Sequence, residues 1–215
     1  MKVPINYLSG LAVCALLSGC NNGSPDSVKN AKEANTEKID SQKVVQRSAD
    51  STAAPSKADA DFLVNAASGA MMEVELGQLA QINSQDRKVK AFGAQMVKDH
   101  GEGSETLKKL AASKNLTIPA EISNDQQKEK AKLQKKKGSE FDKAYTSMMV
   151  DDHNKVIREF EREAKNAMDK DIKTFAGDNL PMLYRHLDSA ENLQKMITKK
   201  YEKEMPNLPP APPIP

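Results

Sequence analysis

An all-α fold, four long helices paired into two antiparallel hairpins, is predicted by three features of the sequence. Strand signals are absent. Apolar residues recur at helical spacing through four long stretches. Short polar breaks separate the first stretch from the second and the third from the fourth, whereas the polar segment 116–138 joins the two pairs. Two hairpins linked by a crossover running the length of a bundle is a ferritin-like four-helix arrangement.

The chain opens with an address. Lys2 gives a short positive region, and the apolar run Tyr7 to Leu17 is too short to span a bilayer but suits a secretory signal. It ends in Leu17-Ser18-Gly19-Cys20, the form of a bacterial lipobox, in which cleavage precedes the cysteine and its sulfur receives diacylglycerol. Residues 1–19 are therefore expected to be a lipoprotein signal peptide and Cys20 the lipidation site. The lipid is the expected contact with a membrane, placing the protein in the bacterial cell envelope, periplasmic or outer-membrane facing. Cys14 leaves with the signal, so the remaining chain holds one thiol and no disulfide. Residues 20–58 are rich in Ser, Asn, Lys, Asp and Ala and bury too little apolar surface to offset ordering entropy, so they read as a flexible tether.

The bundle itself is expected over residues 59–204, enough chain for one domain with a core. The first helix begins near Asp59 or Asp61, either able to cap it, and runs to Asn83. Ser84 and Asp86 open the second, which ends at Asn115 ahead of Pro119. The crossover contains a short helix around Gln126 to Lys137. Ser139 and Asp142 stand at capping-box-like spacing before the third helix, which runs to about Met168. Asp169 or Asp171 begins the fourth, reaching about Lys203, with Pro181 inside it. The halves echo each other: Asp61-Phe62 matches Glu140-Phe141, each Phe followed eleven residues on by a carboxylate, Glu73 or Asp152. Residues 205–215 are proline-rich and favour polyproline II or disorder, a solvated tail that also offers a protein partner somewhere to dock.

Thirty-two Lys and Arg against 30 Asp and Glu leave a formal net charge of +2, which gives no argument for a nucleic-acid partner. The run Lys128, Lys130, Lys132, Lys135, Lys136, Lys137 has no interleaved aromatics and reads as a solvated face, with attraction to anionic headgroups the lesser alternative. Oligomeric state is not legible from periodicity.

The chemistry-bearing residues lie inside. Projected at 100° per residue, the first helix centres Glu73 on its apolar stripe, the second His100 with Asp99 at the edge, the third Asp152 and His153 on the shoulders, and the fourth His186. These are the chain's three histidines, and each follows a methionine (Met96, Met149, Met182) by four residues, hence on the same face. An ionised carboxylate in hydrocarbon must be protonated, paired or bound to a cation. Glu73, His100, Asp152, His153 and His186 are thus the expected metal-binding set, with Asp99 able to orient an imidazole. Thioether plus imidazole through the three Met/His pairs would favour copper; carboxylate plus imidazole would suit iron, manganese or zinc. The bland competitor is a hydrogen-bonded polar layer that fixes helix register.

Asp61-Phe62, Glu73-Val74-Glu75-Leu76-Gly77, Lys90-Ala91-Phe92-Gly93-Ala94-Gln95-Met96-Val97-Lys98-Asp99-His100, Phe141-Asp142-Lys143-Ala144-Tyr145, Met149-Val150-Asp151-Asp152-His153 and Leu180-Pro181-Met182-Leu183-Tyr184-Arg185-His186-Leu187 carry a resemblance to a bacterial exported-protein family, domain of unknown function 4142 (DUF4142). The resemblance covers roughly residues 59–200 and implies a ferritin-like bundle in the periplasm or outer envelope. It implies no activity. Di-iron sites of ferritin-like enzymes use Glu-x-x-His on two helices; here Val97, Val150 and Leu183 precede the histidines by three. A di-metal oxidase is therefore the weakest reading. The leading one is a lipid-anchored envelope bundle that binds a metal or small ligand and is not primarily an enzyme. The alternative is a non-metal structural or stress-response lipoprotein acting through a protein partner.

Overall fold

The computed structural model describes residues 25–45 and 55–204. The expected signal peptide, Cys20 and the proline-rich tail lie outside the described residues. Six helices follow one another: α1 (Ser27–Val45), α2 (Lys57–Asn83), α3 (Arg87–Ser113), α4 (Asn124–Gln134), α5 (Gly138–Asn166) and α6 (Lys170–Glu204). The pairs α2/α3 and α5/α6 are the two hairpins, and α4 is the short helix of the crossover between them. Among the described residues, no helix is long and apolar enough to cross a membrane.

One expectation fails outright. Residues 27–45, assigned to the flexible tether, form a helix laid against α2. Ala31, Asn35 and Ile39 recur every fourth residue and are buried as a stripe. Asn35 clasps the crossover backbone at Thr117, donating Nδ2–H to its carbonyl at 2.8 Å and accepting its N–H at 2.7 Å. Lys38 donates to Asn115 O and Thr117 Oγ1. A stripe this thin cannot fold alone, but the finished bundle supplies its partners. Composition rightly excludes an independent helix; it says nothing about one that docks.

The helix starts are set by side-chain caps, not all of them the expected ones. Ser56, not Asp59 or Asp61, caps α2, with Asp59 closing the capping box from the third position. Asp59 also accepts from Met168 N and Asp169 N, tying the start of α2 to the α5/α6 turn. Asp86 caps α3 as expected. Ser123 and Gln126 form a capping box on α4. The Ser139/Asp142 box does not form: α5 starts at Gly138, whose φ of 53° lies in the left-handed region, after Lys137, which makes no side-chain cap. Asp142 is instead buried and accepts from the Tyr201 hydroxyl at 2.8 Å. The α4/α5 corner is fastened by Asn83, which donates to Gln134 O and Lys136 O.

Close packing of α2 on α3 rests on two glycines. A Cβ on Gly77 would lie 2.5 Å from Gly93 O, and one on Gly93 would lie 2.8 Å from Gly77 O, so the backbones meet where neither helix carries a side chain. The interior divides into two apolar cores. One gathers Phe62, Leu107, Ile157, Phe160, Phe175 and Leu183, with Phe62 edge-on to Phe160 at 4.9 Å. The other gathers Leu76, Phe92, Met96, Phe141, Tyr145, Met149 and Ile197.

Candidate metal centre

A polar layer lies where the two cores meet. Along α3 the second core ends at Met96 and the first resumes at Leu107; His100 falls between them. Along α5 the border lies between Met149 and Ile157, and His153 occupies it. Along α6 it lies between Leu183 and Ala190, at His186. Glu73 of α2 sits beside Met72, at the start of that helix's share of the second core. Antiparallel pairing brings these positions, far apart in sequence, to one height in the bundle.

The three imidazoles converge. Ring centroids are 5.9 Å apart for His100 and His153, 5.2 Å for His100 and His186, and 5.5 Å for His153 and His186. One nitrogen from each lies within 4.8 Å of the others. All three side chains are buried, and each has a ring nitrogen with no hydrogen-bond partner: Nε2 of His100, Nε2 of His153 and Nδ1 of His186.

Two rings have their tautomers fixed from outside. His153 Nδ1–H donates to the Met149 carbonyl, one turn back on α5, at 2.8 Å, which leaves a lone pair on Nε2. His186 Nε2–H donates to Asp99 of α3 at 2.9 Å, which leaves a lone pair on Nδ1. Asp99 is held in turn by the Gln95 side-chain amide. This is the arrangement of metal-binding histidines, in which the outer N–H bond sets the tautomer and the inner nitrogen is the donor. Burial, aided by the other two imidazoles, pushes His100 down to about 3, and burial pushes His153 down to about 4. Burial also lowers His186, against the pull of Asp99. Burial works against ionisation of Asp99, yet bonds from Gln95 and His186 hold it below the usual carboxylate range. At neutral pH the trio is therefore three uncharged bases beside one anion.

The expected five-residue set does not form a single cluster. Glu73 Oε1 lies 3.9 Å from His153 Nδ1, the edge of that ring already bonded to Met149, and its Oε2 has no partner. Burial, then the neighbouring Asp152, pushes Glu73 up to about 8. Asp152 is half-buried, and burial followed by Glu129 raises it to about 6. Glu73 and Asp152, with His100 and His153, line a cavity of about 390 Å³. Of the methionines, Met96 and Met149 are packed in the second apolar core, while Met182 lines the cavity. Helical phase put Glu73, Asp152 and the histidines on inward faces correctly; it carries no information about which of them meet.

Sequence reasoning missed several wall residues. Glu129 and Gln126 reach the cavity from α4, and Asn179 from α6. The Ser123-x-x-Gln126 signature would have placed the start of α4, and with it the face bearing Glu129.

Three neutral imidazoles, two of them held from outside by Met149 and Asp99, fit a borderline cation. A tetrahedral ion with bonds of about 2.0–2.1 Å spaces its donors roughly 3.3 Å apart, so contraction of no more than about 1.5 Å by side-chain rotation closes the trio on it.

Residues 44–193 match the family described as Domain of unknown function (DUF4142), and the chain belongs to that family. Its fold is similar to that of a DUF305 fragment from Deinococcus radiodurans, known from a crystal structure, with a TM-score of 0.60 and 10% sequence identity over 67% of this chain and 99% of that one. At that identity the likeness is one of fold, a packed helical bundle of ferritin-like type. No curated protein matches the chain significantly. Nearly all of α1 precedes the matched residues.

Proposed function

We propose that this DUF4142 protein is an envelope lipoprotein whose bundle binds one transition-metal ion through His100, His153 and His186. The supporting observation is the trio of partnerless nitrogens: three neutral imidazoles from three helices each keep a buried ring nitrogen without a hydrogen-bond partner, and one nitrogen from each lies within 4.8 Å of the others. Leaving buried acceptors unmade is costly, and a single cation satisfies all three at once. A register-fixing polar layer would instead bond its members to one another.

The donor set selects the ion. Imidazole without thiolate suits Zn²⁺, Cu²⁺, Ni²⁺ or Fe²⁺, with Cu²⁺ bound most tightly among divalent ions of the first row. Manganese, which prefers oxygen donors, fits less well. Three protein donors leave a further coordination position, and the adjoining cavity gives solvent or a small anion a way to it. Among the described residues the metal-binding group is the three histidines, with no carboxylate in it, so the reading is storage, sensing or delivery of a metal rather than oxygen activation. The expected lipid on Cys20 would hold this bundle at the membrane.

Elemental analysis of untagged protein isolated from its own compartment tests the reading. One equivalent of transition metal is expected, absent from His100→Ala. Protein that neither carries nor takes up zinc, copper, nickel or iron, with thermal stability indifferent to each, would overturn it.

A further inference from the structure

Resting on the metal-binding reading, we infer that the cavity beside the histidines is an access path for hydrated cations, with Glu73 and Asp152 a carboxylate waiting position distinct from the three-nitrogen centre. The path begins at exposed Asp125 and Glu129 on α4, passes half-buried Asp152 on α5, and ends at Glu73, beside His153. Four acidic side chains besides Glu73, namely Asp125, Glu129, Asp152 and Glu159, give the cavity its negative field, and one lysine, Lys155, stands exposed on its lining. Low-dielectric walls focus such a field and raise the local concentration of cations.

Two further observations mark the path as built for an occupant. Glu73 lines the cavity, is 6% exposed, and its Oε2 has no partner within the protein. Gly69, one turn before Glu73 on the same helix, also lines the cavity, and a Cβ there would meet nothing within 4 Å. Glycine inside a helix is destabilising. At Gly77 and Gly93 close helix packing explains it; at Gly69, as at Gly101, no packing contact does, and at Gly69 the open space belongs to the cavity. A cation arriving with its water shell needs that width. Glu73 and Asp152 offer hard oxygen ligands with which it exchanges water before the softer nitrogens take it.

The carboxylates and the glycine therefore govern how fast metal arrives rather than how tightly it is held. The test is stopped-flow uptake of Co²⁺, followed by its visible bands, in the full-length protein and in Gly69→Leu, Glu73→Gln and Asp152→Asn. Each variant is expected to slow association roughly tenfold while reaching the wild-type stoichiometry and final spectrum. The wild-type rate should fall with added salt, and Asp152→Asn should flatten that dependence while Glu73→Gln leaves it in place. Unchanged rates in folded Glu73→Gln and Asp152→Asn would overturn the path and leave the metal centre standing. Loss of stoichiometry in Glu73→Gln would make Glu73 a ligand and abolish the distinction drawn here. Absence of Co²⁺ uptake by the wild type would remove the path together with the centre. Should Gly69→Leu misfold, the two isosteric carboxamide variants decide the matter by themselves.

Discussion

Two groups of polar side chains are buried to the same depth in this bundle and behave in opposite ways. At the α1 clasp and the α2 start, Asn35 and Asp59 are each 1% exposed and fully occupied: Asn35 with both sides of the Thr117 peptide, Asp59 with three backbone N–H groups. In the layer between the cores, Glu73 and the three histidines supply four of the seven buried side-chain atoms without a partner among the described residues. Burial cannot be what separates them. A side chain that holds the fold together finds its partners in the fold, because those bonds are what it contributes. On the proposed reading, the histidine nitrogens left without a partner are held for a ligand that comes from outside.

That contrast is most sharply broken at the histidines. Metal affinity should fall at least 100-fold in His100→Ala, read by competition against a chelating dye, while the metal-free variant unfolds near the wild-type denaturant midpoint. A variant that loses stability and keeps its metal would place His100 with the structural group. The reverse pattern is expected at Asp59. Asp59→Ala leaves three backbone N–H groups without their acceptor and should cost about 2–4 kcal/mol by chemical denaturation, with metal stoichiometry intact.

A smaller effect sharpens the comparison through pH. His100 and His153, at about 3 and 4 when folded, take up protons more readily once unfolded, where the ordinary value is 6.5. Their contribution is present above 6.5 and lost as pH falls through the window down to about 3. Glu73 runs the other way: raised from 4.5 to about 8, it holds its proton better in the folded state, so stability declines as pH rises from 4.5 to 8. Metal-free protein should therefore show a stability maximum in the weakly acidic range, and Glu73→Gln should flatten the alkaline side and steepen the acid side above 4.5, where the two windows overlap. Thermal melts from pH 4 to 9 in the presence of a chelator read this directly; an unaltered alkaline limb in Glu73→Gln would show that the carboxyl is paired in solution.

Much of the fold is legible without coordinates because helical phase is a local property. The inward positions of Glu73, His100, His153 and His186 follow from 3.6 residues per turn and the apolar neighbours on each stripe. Asp86 announces α3 and the long polar segment 116–138 announces the crossover, since caps and link lengths are also written locally. Helix α1 was hidden for the converse reason. Its two buried apolar residues and the buried Asn35 gain value only from Thr117 and the face of α2, which lie farther along the chain. Ser139 and Asp142 failed as a cap because the α4/α5 corner had already been fixed by Asn83 and Gly138.

By itself, then, the sequence determined that there would be a helical bundle, which face of each helix would be buried, and that acids and imidazoles would be carried inside. Periodicity decides these things within one turn of chain. Only the tertiary structure decided that three histidines would share one point while Glu73 and Asp152 stood apart on the wall of a cavity, and that a polar N-terminal segment would become a helix. Those outcomes depend on the relative height and rotation of helices whose residues, such as Glu73 and His186, are more than a hundred positions apart. Such offsets are set by close-packed contacts such as the Gly77/Gly93 crossing, not by any local preference of the chain.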